Sequence, residues 1–138
     1  MTDQSSAADA TADPTPPAPA DSNQGLDPVT GIQRDLLIDI DLPRPRTVSR
    51  IQGKRIAIPA GGRTGVHEHN GPVVGVVLEG TAIMQIVGQE PVTINAGEPF
   101  YEPEAVRMLR FDAGPDGLVF LGFFPVGPGE DPVLTPLD

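Results

Sequence analysis

The chain has 138 residues, nineteen acidic and nine basic, for a formal charge of −10. That length fits one domain, and so acidic a surface suits neither the phosphates of nucleic acid nor an anionic membrane. The absence of cysteine excludes disulfides and thiolate metal sites, while sixteen glycines and seventeen prolines call for frequent turns and against long helices.

Residues 1–28 carry five aspartates (Asp3, Asp9, Asp13, Asp21 and Asp27) with no base and no aromatic side chain. A stretch of Ala, Pro, Asp, Thr and Ser cannot bury enough apolar surface to offset its ordering entropy, so a disordered acidic arm is expected there. Residues 29–138 are expected to form one β-domain. The basic start and apolar stretch of a secretory signal are missing, and the expected address is the cytoplasm. No apolar run reaches the roughly 18 residues that a membrane helix needs.

From Val29 onward, short apolar runs alternate with turn residues. Asp35–Asp41 and Arg55–Ile58 read as strands of period two or as buried runs. Val73–Leu78 is rich in β-branched residues and stops at Glu79-Gly80; Ala82–Val87 stops at Gly88-Gln89. Val92–Ile94 and Phe100–Tyr101 follow. Val106–Phe111 and Leu118–Val126 flank a loop at 113–117. Strands at this spacing, with a turn signal between each pair, indicate an all-β sandwich or barrel. The six aromatic residues, Phe100, Tyr101, Phe111, Phe120, Phe123 and Phe124, are read as the core of the last strands. The closing segment 131–138 is expected to pack along a barrel edge or against a second subunit.

The chain's two histidines are His67 and His69. On an extended strand, residues two apart share a face, so both imidazoles can converge on one ion. Neutral imidazole is the commonest protein ligand for Zn, Fe, Ni, Cu and Mn. Alone, H-x-H is also what a pair of surface histidines looks like.

The surrounding stretch, Gly61 through His67-Glu68-His69-Asn70-Gly71-Pro72 to Val77-Leu78-Glu79-Gly80, resembles the first motif of the cupin superfamily. That motif runs glycine, five residues, H-x-H, three or four residues, glutamate, six residues, glycine. Gly97-Glu98-Pro99-Phe100-Tyr101-Glu102-Pro103 is similar to the second motif, and the likeness covers about residues 51–126. It implies a double-stranded β-helix, or jelly-roll, barrel, association as a homodimer, a small-molecule ligand and a divalent metal (Fe, Mn, Ni, Cu or Zn). A complete site of that family presents three histidines and one glutamate. Here the glutamate position holds Val73, the third histidine position holds Met108, and the glycine of the second motif falls on Ala105.

Glu102 is the residue placed to complete a set of two histidines and one carboxylate, which leaves coordination positions open; a solvent-facing charge at a strand end is the other reading. Met108 is either a thioether ligand suited to copper(I) or an apolar plug. Strand alternation from Met108 puts Arg110 on the inward face, where it pairs with Glu102 or receives a substrate carboxylate, unless the strand bends and releases it to water. Arg110, Met108 and Tyr101 are the residues expected to face a ligand. Lys54, Arg55 and Arg50 form too small a basic group for nucleic acid. Three function classes follow: a metal-dependent oxygenase, isomerase or decarboxylase; a metal-free binder of a small organic acid; and a barrel serving regulation or assembly.

Overall fold

A chain dense in Val, Ile and Phe and interrupted by glycine favours long, bent strands over helices, and that is what forms. The structure, a computed structural model, describes residues 24–137; most of the expected acidic arm lies outside them. The chain divides into two units, Met1–Leu37 and Ile38–Asp138. Of the first, the described part is a small hairpin in which β1 (Gly25–Leu26) pairs antiparallel with β2 (Gln33–Arg34). Its turn is held by the Asp27 carboxylate, which accepts hydrogen bonds from the backbone N–H groups of Val29 and Thr30.

The second unit contains β3 (Arg50–Ile58), β4 (His67–His69), β5 (Val73–Ile86), β6 (Val92–Asn95), β7 (Pro99–Glu102), β8 (Met108–Val126) and β9 (Leu134–Pro136). One antiparallel sheet runs in the order β6-β5-β8-β4-β9, with β3 also paired to β8 and β7 to β5. The two longest strands, β5 and β8, pair along most of their lengths and turn the sheet on itself. Among the described residues there is no helix, and none, therefore, long and apolar enough to cross a membrane.

Three local features depart from the strand reading. Residues 35–41 form no strand; Leu36 and Leu37 are exposed rather than paired into a ladder. Glu79-Gly80 does not end a strand, because β5 continues through it on an irregularity in its pairing with β8. Gly80 makes this possible: its φ is +73°, and a Cβ there would lie 2.0 Å from the Gly117 carbonyl oxygen. Likewise 113–117 is a bulged stretch inside β8 rather than a loop between two strands, since Ala82 opposes Ala113 and Gly80 opposes Leu118.

The core is aromatic and aliphatic. Phe100, Phe111 and Phe120 pack with ring centroids 4.9, 5.5 and 5.1 Å apart, surrounded by Val73, Val77, Ala82, Ile94 and Leu118. Burial of such side chains is the main stabilising contribution of a domain this small. The described part of this closing segment, 131–137, does reach a sheet edge, where β9 pairs with the histidine strand β4. Asn70 ties the two together: its side-chain amide donates to the Asp131 carbonyl (2.9 Å) and its Oδ1 accepts from the Val133 N–H (2.8 Å).

Ala105, at the glycine position of the second motif, has φ +57°, a region that costs an L-residue about 1–2 kcal/mol. Its N–H donates to the His69 carbonyl at 2.8 Å, which holds the turn in place. Ala105→Gly is therefore expected to raise stability by about 0.5–1 kcal/mol, the relieved strain less the entropy that glycine adds to the unfolded chain. The check is a higher urea midpoint at unchanged m-value.

Candidate metal centre

Strand β4 presents His67 and His69 from one face, as period-two alternation requires, and both are buried along with Glu102 at the end of β7. Oε1 of Glu102 lies 3.1 Å from Nε2 of His67 and 3.1 Å from Nε2 of His69. The imidazole rings stand nearly perpendicular, with centroids 5.0 Å apart. One ligand atom from each of the three residues falls within 4.8 Å of the others.

The tautomer of His67 follows from its other nitrogen. Nδ1 sits 2.8 Å from the Gly65 carbonyl oxygen, which only accepts, so Nδ1 carries the proton. A neutral His67 then turns the lone pair of Nε2 toward a carboxylate oxygen 3.1 Å away. Two facing lone pairs repel unless a cation, whether a proton or a metal ion, lies between them. A ring N–H given to a backbone carbonyl, with the second nitrogen aimed at a converging carboxylate, is also how metal-ligating histidines are oriented.

Electrostatics point the same way. Burial pushes the His67 imidazole down, but its bonds to Glu102 and the Gly65 carbonyl, with the charges of Glu102 and Asp112, hold it above the ordinary histidine value. Burial pushes the Glu102 carboxyl up, and the bonds and charges of His67 and His69 more than offset this, leaving it below the usual range. The group thus favours an anionic carboxylate beside a positive charge. Two imidazole nitrogens and one carboxylate oxygen fit a divalent transition metal such as Fe(II), Mn(II) or Zn(II), with positions left open.

How Glu102 comes to be there is a matter of register. Val73, at the position of the family glutamate, stands directly opposite Glu102 in the β5–β7 ladder. Opposed residues of an antiparallel pair project from the same face with Cβ atoms about 5 Å apart. Both line the same cavity, so a carboxylate stands one strand over from Val73 on the same wall.

That cavity has a volume of about 210 Å³, with His67, His69 and Glu102 among walls made mainly of Ile56, Ile58, Val73, Phe111, Phe120 and Phe124. Of the three residues expected to face a ligand, none lines it. Met108 is fully buried and opposes His67 across the β4–β8 pair. Tyr101 lies in a separate cleft with Leu42, Pro43 and Glu104. Arg110 faces another surface cleft and donates from Nε to Asp112 (3.0 Å), not to Glu102. The cause is a bulge: Ile86 opposes Met108 and Gln85 opposes Arg110, so Leu109 is an extra residue. The bulge resets the alternation, making Met108 and Phe111 the buried pair and leaving Arg110 outside.

Lys54 does line the cavity. The signal for it was present in β3, whose Lys54, Ile56 and Ile58 recur at period two and all reach the cavity wall.

No family model matches the sequence, and no curated protein is significantly similar to it. Solved structures are similar in fold. A cupin-like protein from Thermotoga maritima is 27% identical with a TM-score of 0.50, over 54% of this chain and 56% of that one. The DMSP lyase DddQ from Ruegeria pomeroyi is 18% identical with a TM-score of 0.53, over 60% and 42%. An oxalate oxidase is 21% identical with a TM-score of 0.52, over 63% and 46%. The matched region spans about half the length of these structures or somewhat less.

Proposed function

We propose that this chain, whose fold is similar to that of cupin structures, holds a divalent metal ion on His67, His69 and Glu102 and acts there on a small organic molecule seated in the adjoining cavity. The observation that carries this reading is the approach of both Nε2 atoms to a single buried carboxylate oxygen at one wall of an apolar pocket. Bound in that set, a divalent ion supplies Lewis acidity and open positions for substrate. The protein's own part is to fix the ligand atoms and keep water away. The Gly65 carbonyl sets the His67 tautomer, Glu102 brings the anionic charge, and Phe111, Phe120 and Phe124 leave a bound molecule few competing polar contacts. Met108, opposite His67 in the β4–β8 pair where the family motif has a histidine, fills space with a buried apolar side chain.

Protein purified without a histidine tag is expected to carry about one equivalent of Fe, Mn, Ni, Cu or Zn, and to melt at a lower temperature once chelator has removed it. Only trace metal, together with a melting temperature indifferent to each added ion, would remove the basis for the proposal.

A further inference from the structure

Lys54 is the sole lysine of the chain and, among the described residues, the only lysine or arginine that lines the histidine cavity. It shares a face of β3 with Ile56 and Ile58 and lines the cavity with them, but is itself exposed, so its ammonium also reaches solvent. Across the ladder stands Gly122, so no opposed side chain competes for its space. Its ammonium rests 5.1 Å from the centroid of the Phe124 ring, a contact that holds a cation in place without neutralising it. Among the described residues Lys54 forms no ion pair. Among the described residues, the one carboxylate in the cavity wall is that of Glu102, already engaged by two imidazoles at 3.1 Å.

In a chain with a formal charge of −10, this pocket therefore keeps an unneutralised positive group on an apolar wall. We propose that the cavity takes a small monocarboxylate with an apolar body, and that Lys54 is the residue that selects its charge. Size supports this. A dry apolar cavity of ~150 Å³ holds benzene, so about 210 Å³ accommodates a single ring or short chain bearing a carboxylate. A phosphate fits less well, because it calls for an arginine fork or a nest of backbone N–H groups beside it, and one lysine gives neither. A neutral ligand would leave the ammonium with only its aromatic contact. The inference takes the cavity to be the site, as proposed above, but does not depend on the metal.

The test is calorimetric titration of benzoate and of benzamide, equal in shape and different in charge, into the full chain with and without zinc. Wild type is expected to prefer benzoate by about tenfold, the scale of one charge-assisted hydrogen bond. Lys54→Met should lose that preference while binding benzamide and zinc as before, and Lys54→Arg should restore it. A second readout uses the lone lysine: benzoate, and not benzamide, should slow reductive methylation at Lys54. Equal affinity for the two probes in wild type, no binding of either, or an unchanged preference in Lys54→Met would each overturn the inference. If the preference persists in a protein that binds no metal, the metal reading fails and this one stands.

Discussion

Removing the Glu102 carboxylate is expected to weaken metal binding by about 100-fold or more, and moving it back across the ladder to recover most of the loss. Even the outer partners of a metal ligand are worth roughly 10–100-fold in affinity, and Glu102 is proposed as a ligand itself. Glu102→Val leaves His67 its bond to the Gly65 carbonyl, so the ring keeps its tautomer and the change isolates the lost anionic oxygen. The double variant Val73→Glu, Glu102→Val places a carboxylate directly opposite the vacated position on the same cavity wall. Its affinity for zinc or cobalt is expected to return to within about tenfold of wild type, because opposed residues of an antiparallel pair are only about 5 Å apart. Direct metal titration checks both proteins, and the absorption of bound cobalt reports whether the ligand set is the same. Wild-type affinity in Glu102→Val would show that the two histidines work without it. A double variant as weak as the single one would show that position 73 cannot replace position 102.

The same ladder explains what could and could not be read from the sequence. His67 and His69 were legible because their convergence depends only on strand periodicity, a local property. Glu102 could be named as a candidate from its place before Pro103, but its position opposite Val73 depends on pairing between strands more than twenty residues apart. Arg110 is where strand periodicity fails. Counting two from Met108 gives an inward arginine only in a regular strand, and the bulge at Leu109 is set by the pairing of β8 with β5. Lys54 went the other way. Taken with Arg50 and Arg55 it is a small basic cluster, yet period two separates it from Arg55 and joins it to Ile56 and Ile58 on the cavity face. The alternation of a strand was informative wherever the strand was regular, and misleading where the sheet had to bend.

That bend is maintained by the aromatic core, and Phe111 is where its removal should cost most. Phe111 packs against both Phe100 and Phe120, is 1% exposed, and forms part of the cavity wall. Its N–H donates to Thr64 Oγ1 at 3.2 Å, which ties this point of β8 to the residues leading into the histidine strand. Phe111→Ala should destabilise the protein by about 3–5 kcal/mol, the sum of lost burial and the cavity left behind. That is a large fraction of the ~5–15 kcal/mol available to a domain. Should this variant fail to fold, Phe111→Leu, which keeps most of the volume, is expected to lose only about 1–2 kcal/mol. Phe123 is the control: 40% exposed, it should cost well under the Phe111 value on truncation. Urea unfolding of the three variants measures these differences. Equal losses at 111 and 123 would mean that the aromatic cluster is not what holds β8 against β5, and that the cavity wall has some other support.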